Sequence, residues 1–264
     1  MSRIDDAFLS LKRGGGKGLV VYLTAGDPSA AASLSYLRGA ADGGADILEV
    51  GIPFSDPTAD GPTIQAASRR AIAGGMTPAR ALALVSELRR THATPVVLFG
   101  YYNPFLSYGI PKLCRDARES GVDGFLVVDL PPEESREMRP QVRREGMDWI
   151  PLATPTSGPA RIRRAAAEGS GFLYLVSVTG ITGARKALPP GLASWTRSVK
   201  AGTRLPVAVG FGISTPAMAR DATRFADAAV VGSACVRIVE RHGSSRKGPA
   251  ALRRFVHSLK QEMR

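Results

Sequence analysis

Glu49 sits inside an apolar stretch, near the C-terminal end of the run Asp46–Val50. The run reads as a strand, and alternation along a strand puts Ile47 and Glu49 on one face. A carboxylate buried there is costly unless it is paired or protonated. Desolvation raises its pKa toward the range where it can both give and take a proton, which is what general acid–base catalysis needs. The competing reading is a structural glutamate hydrogen-bonded inside a sheet; a buried charge at the end of a strand favours the functional one. The segment that follows is turn-forming, with Pro53, Asp56-Pro57 and Asp60-Gly61-Pro62. Its aspartates have the ordinary role of turn residues open to them. A loop of this length also lets a second carboxylate fold back over Glu49.

The elements that must position these groups repeat along the chain. Eight apolar runs, Gly18–Thr24, Asp46–Val50, Pro95–Tyr101, Gly124–Val128, Trp149–Leu152, Phe172–Val176, Pro206–Val209 and Ala228–Val231, alternate with turn-rich loops and helical stretches. Continuous apolar runs indicate strands covered on both faces, hence a parallel sheet. Asp27-Pro28, Thr77-Pro78 and Thr215-Pro216 each read as an N-cap followed by proline at the first helical position. Glycines at 43–44, 121, 146 and 169 read as helix stops. An opening helix over Ile4–Lys12 and a closing helix over Ala250–Met263 carry apolar residues at helical spacing. Eight such units in 264 residues predict one α/β domain over 1–264, a (β/α)8 TIM barrel with an extra N-terminal helix, in preference to an open doubly wound sheet. In a barrel the chemistry sits on the loops after the strands.

Composition bounds the function classes. With 44% hydrophobic and 22% charged residues the chain reads as globular. No apolar run approaches the ~20 residues of a membrane span. The N-terminus lacks a signal-peptide layout, and two cysteines make no disulfide framework. A cytoplasmic enzyme is the expectation. The net charge of +12 is spread over arginine pairs on many predicted helices, without interleaved aromatic residues. That pattern fits solvated helix faces and an anionic substrate better than nucleic acid. His92, His242 and His257 form no ligand cluster, so no metal site is expected.

The segment Leu48-Glu49-Val50-Gly51-Ile52-Pro53-Phe54-Ser55-Asp56-Pro57-Thr58-Ala59-Asp60-Gly61-Pro62-Thr63-Ile64-Gln65 resembles the signature of the tryptophan synthase α subunit family. The resemblance continues, in the family's order, through Thr24–Pro28, Tyr101–Pro104, Val127–Pro131, Thr179–Gly183, Gly210–Ser214 and Val231–Ala234. It implies a carbon–carbon lyase of L-tryptophan biosynthesis that splits indole-3-glycerol phosphate into indole and glyceraldehyde 3-phosphate by a retro-aldol step. A stand-alone lyase releasing free indole would use the same residues. Glu49 and Asp60 match the family's catalytic pair, Glu49 protonating indole C3 and Asp60 accepting a hydrogen bond from the indole N–H. Tyr174 and Thr182 match auxiliary positions. A phosphate site is expected at Gly183, Phe211, Gly212, Gly232 and Ser233, on glycine-rich turns at the usual barrel location and beside a helix N-terminus. The expected indole pocket is Tyr22, Ile64, Phe99, Leu126 and Leu152; the family often has phenylalanine where this chain has Tyr22. The resemblance further implies an α2β2 complex whose β subunit carries pyridoxal phosphate, with no cofactor in this chain, and mobile loops around 56–62 and 180–190.

Overall fold

The computed structural model describes residues 1–176 and 188–263. In chain order these form α1 (Arg3–Arg13), β1 (Gly18–Thr24), α2 (Ala30–Asp42), β2 (Ile47–Gly51), α3 (Pro62–Ala73), α4 (Pro78–Arg89), β3 (Val96–Gly100), α5 (Tyr102–Tyr108), α6 (Ile110–Ser120), β4 (Gly124–Val127), α7 (Arg139–Arg144), β5 (Asp148–Trp149), β6 (Leu152–Ala153), α8 (Pro159–Glu168), β7 (Leu173–Val176), α9 (Leu192–Ala201), β8 (Val207–Gly210), α10 (Pro216–Thr223), β9 (Ala228–Val231), α11 (Ser233–His242) and α12 (Lys247–Glu262).

The strands make one parallel sheet in the order β5-β4-β3-β2-β1-β9-β8-β7-β6. Its two ends are neighbours in sequence. Ile150 donates its N–H to the Phe125 carbonyl and Tyr174 donates to that of Pro151, both at 2.9 Å. The segment 148–153 therefore joins the ladder's ends and closes a (β/α)8 barrel. The fifth strand expected over Trp149–Leu152 is thus two short pieces either side of Ile150-Pro151. Proline brings no N–H, so the ladder is broken where it stands.

Side chains divide by the period of two. Val20, Ile47, Val97, Leu126, Ile150, Tyr174, Ala208 and Val230 point into the barrel. Leu48, Val50, Leu98 and Phe125 point out against the helices. The extra helix α1 closes the barrel's lower end by placing Ile4 and Phe8 in the interior cluster, with the Phe8 and Phe172 rings 5.8 Å apart. Its N-terminus has a reciprocal cap, Ser2 accepting from the Asp5 N–H and Asp5 from the Ser2 N–H.

Thr77 and Thr215 cap α4 and α10 as their spacing indicates, with Pro78 and Pro216 opening the helices. Asp27 does not cap α2; Ser29 does. The Asp27 carboxylate instead takes a bidentate pair from Arg70 on α3, at 2.8 and 2.9 Å. That pair ties the loop after β1 to the helix that follows the loop after β2.

Candidate active site

The C-terminal ends of the strands surround a cavity of about 240 Å³. Tyr22 enters from β1, Glu49 from β2, Phe99 from β3, Leu152 from β6, Tyr174 and Val176 from β7 and Val230 from β9. Thr58, Ala59 and Asp60 reach it from the loop after β2, and Ile64 from α3. Gly210, Gly212 and Ile213 border it at the end of β8, Gly232 and Ser233 at the start of α11. A second cavity of equal volume lies outside β6, but there Arg139 pairs with Glu168, Arg161 with Glu133, and Asp129 accepts the Tyr102 N–H. The first holds the unpaired acid.

Glu49 has no solvent exposure, and neither carboxylate oxygen has a hydrogen-bond partner among the described residues. Burial alone raises its pKa to about 8. A glutamate in that state holds a proton at neutral pH yet can release it. Asp60 is 7% exposed, and burial raises its pKa to about 6, while a hydrogen bond from the Tyr101 hydroxyl draws it back down. The two carboxyls are thereby set apart, one a neutral acid and one an anion near pH 7.

Two tyrosines flank the pair. Burial lifts the Tyr22 and Tyr174 phenols well above their ordinary value, and both feel the carboxyls of Glu49 and Asp60. Each hydroxyl fits against a strand that has no side chain there. A Cβ on Gly51 would lie 2.2 Å from the Tyr22 oxygen, and one on Gly210 would lie 2.4 Å from that of Tyr174. Tyr22 also packs edge-on against Phe99, with centroids 5.1 Å apart.

The polar end is glycine-rich. Gly212 has φ 71°, a conformation glycine adopts without a side-chain clash. The N-terminus of α11 opens beside it, where the helix dipole and amide groups favour an anion.

Of the residues singled out in the sequence, Glu49, Asp60, Tyr174, Gly212, Gly232, Ser233, Tyr22, Ile64, Phe99 and Leu152 meet in this one cavity. Leu126 does not. It lies one layer lower in the barrel interior, and Val128, two residues on along the same face, borders the cavity instead. Phe211 does not either; its ring turns outward with Val207 and Val209 and packs on Trp195 at 6.1 Å. Thr182 and Gly183 lie outside the described residues. Val128, Val176 and Val230 were legible as the period-two neighbours of recognised positions; Thr58, Thr154 and Ile213 carried no signal of their own. Tyr101 was noticed only as part of a motif.

A model of the tryptophan synthase alpha chain matches residues 8–264. The alpha chain of Citrifermentans bemidjiense is 49% identical over 264 residues, covering 99% of this chain and 97% of that one. The chain belongs to the tryptophan synthase alpha chain family. It is therefore a lyase of tryptophan biosynthesis that cleaves indole-3-glycerol phosphate to indole and glyceraldehyde 3-phosphate. The Geobacter sulfurreducens alpha chain is 46% identical over 261 residues, 99% of this chain and 98% of that one. Among solved structures, the alpha chain from Legionella pneumophila superposes with a TM-score of 0.91 at 37% identity, covering 100% of this chain and 97% of that one. Mycobacterium tuberculosis tryptophan synthase gives 0.92 at 33% identity, over 100% and 98%. Family membership brings a β subunit as partner. Among the described residues no cluster of His, Cys, Asp and Glu is placed to hold a metal ion, and no helix is long and apolar enough to cross a membrane.

Proposed function

We propose that Glu49 and Asp60 carry the cleavage, within one domain spanning residues 1–264. The observation behind this is a fully buried glutamate without a partner, facing the same cavity as a second acid of lower pKa. Indole is a poor leaving group until its C3 is protonated. Glu49 delivers that proton, giving an indoleninium cation. Its carboxylate then takes the proton of the side-chain hydroxyl. The O–H bond pair left on that oxygen forms the π bond of the aldehyde carbonyl, the carbon–carbon bond breaks, and its electron pair restores neutral indole. Asp60, ionised, accepts the indole N–H bond and stabilises the positive charge where it develops. Tyr174 and Tyr22 shape the pocket around Glu49, and Ile64, Phe99 and Leu152 supply apolar walls for the ring. The phosphate is held by Gly212, Gly232 and Ser233 at the α11 N-terminus, with Phe211 entering through its backbone; the resemblance assigns Thr182 and Gly183, outside the described residues, an auxiliary and a phosphate-binding role. The chain works in the cytoplasm in an α2β2 complex, and pyridoxal phosphate belongs to the β subunit.

Two outcomes test this reading. Asp60→Asn is expected to lower kcat for indole-3-glycerol phosphate cleavage by about 10²–10³-fold, the scale of losing one charge-stabilising group, with or without added β subunit; near-normal turnover would remove Asp60 from the mechanism. The pH profile of kcat/KM should be bell-shaped. Activity rises as Asp60 ionises near pH 6 and falls as Glu49 loses its proton near pH 8. A profile that stays flat below pH 6 and above pH 8 would contradict the assignment.

A further inference from the structure

The loop after β2 is fastened to the end of β3 by one side chain. Tyr101 follows β3 directly, forms the N-cap of α5, and is 3% exposed. Its hydroxyl accepts the Ala59 N–H, the amide just before Asp60, at 2.9 Å, and it lies near enough to the Asp60 carboxyl to lower its pKa. Its ring lies against Phe54 of the same loop, centroids 5.3 Å apart. The next residue extends the connection: the Tyr102 N–H donates to Asp129 at 2.8 Å and its hydroxyl to Glu137 at 2.7 Å, both beyond β4.

We propose that Tyr101 is a positioning residue for the cleavage reaction, orienting the Asp60 carboxylate toward the substrate by holding Asp60 and the preceding peptide with one hydroxyl. This rests on the role given to Asp60 above. One phenol satisfying both an amide donor and the adjacent carboxylate restricts that side chain's rotamers before substrate arrives, which is how preorganisation lowers a barrier. The ring on Phe54 fixes the phenol itself. With its oxygen accepting from Ala59, the Tyr101 hydroxyl keeps its own proton for the neighbouring Asp60 carboxylate, which favours the ionised form that accepts the indole N–H. The other titratable groups that sense Asp60 are Tyr22 and Tyr174; Glu49 borders the same cavity, and Asp129, which accepts the Tyr102 N–H, acts on Tyr101.

The test is Tyr101→Phe, which keeps the ring and removes only the hydroxyl, measured beside Asp60→Asn and the double variant. Tyr101→Phe is expected to lower kcat about tenfold, the scale of one hydrogen bond to a charged group, with a smaller change in KM. The acidic limb of its pH profile should move above pH 6, because the hydrogen bond that lowers the Asp60 pKa is gone. In the Asp60→Asn background the same substitution should cost nothing further. A role in stability alone would lower the melting temperature and leave the limb in place, and that result overturns the proposal. So does an equal loss in both backgrounds. If Asp60→Asn itself turns over normally, the reading of Asp60 fails instead, whatever Tyr101→Phe does.

Discussion

Glu49→Gln is expected to abolish cleavage of indole-3-glycerol phosphate and to make the protein more stable at high pH relative to the parent. Glutamine keeps the volume and cannot pass a proton. Losing a general acid–base group costs about 10²–10⁴-fold, and here one group serves both transfers, so the loss falls at the upper end. The stability effect follows from linkage. In the unfolded chain this carboxyl titrates at its ordinary value of 4.5; in the folded chain it holds its proton to about 8. Its contribution to stability is full below pH 4.5, declines as the unfolded chain ionises, and is lost by about pH 8. At pH 7 the cost is on the order of 3 kcal/mol, since each pKa unit is worth about 1.4 kcal/mol. Urea denaturation of both proteins at pH 5 and pH 8 reads this directly. The gap between them should shift in favour of the glutamine protein as pH rises, because the fixed cost of burying an amide cancels in the comparison. Parallel curves would mean that Glu49 is ionised or solvated in the folded chain.

Asp123→Ala should give a large loss of stability with little loss of activity per folded molecule. Asp123 precedes β4 at the lower end of the barrel and is 7% exposed. One oxygen accepts from the Val96 N–H at 2.8 Å and from Arg89; the other accepts from Arg3 at 2.8 Å. The Arg89 side chain is 13% exposed and also donates to the carbonyls of Gly121 and Thr94, at 2.7 and 2.5 Å. Removing the aspartate leaves that guanidinium enclosed without its counter-charge, a change that costs about 3–5 kcal/mol. For a chain of this size the melting temperature should fall by roughly 10 °C. Arg3 is half exposed, so Arg3→Ala should cost under about 1 kcal/mol. The site lies at the other end of the strands, where barrels carry stability and not chemistry. A change of melting temperature within about 2 °C would show that the network is replaceable.

The sequence carries the barrel because its signals are local: apolar runs bounded by turns, threonine caps before proline, glycine stops. Glu49 was legible for the same reason, as a charge in an apolar run. The role given to Asp60 came from the family resemblance, since an aspartate before glycine has an ordinary turn role. Leu126 and Val128 share a face, and the tilt of the strands, which no local pattern encodes, decides which of them reaches the cavity. Phe211 was chosen for its neighbours, yet alternation from Val207 and Val209 already turns its ring outward. The break at Pro151 was present in the sequence as a proline inside an apolar run. Asp27 looked like a cap because a cap and an ion-pair partner are the same residue type; only the approach of Arg70 from another helix separates them. Tyr101 reads as one more aromatic residue at a strand end until the loop after β2 is seen to fold onto it.

The segment 148–153 that closes the barrel is also a partition. Val128, Leu152 and Thr154 border the substrate cavity on one side and the outer cavity on the other. Here the partition is a strand with a gap in its ladder, where elsewhere the barrel wall is continuously paired. Whatever fills or empties the outer chamber presses on the same few side chains that define the inner one. The two volumes share a wall, so the shape of the inner cavity depends partly on how residues outside the barrel pack against Val128, Leu152 and Thr154.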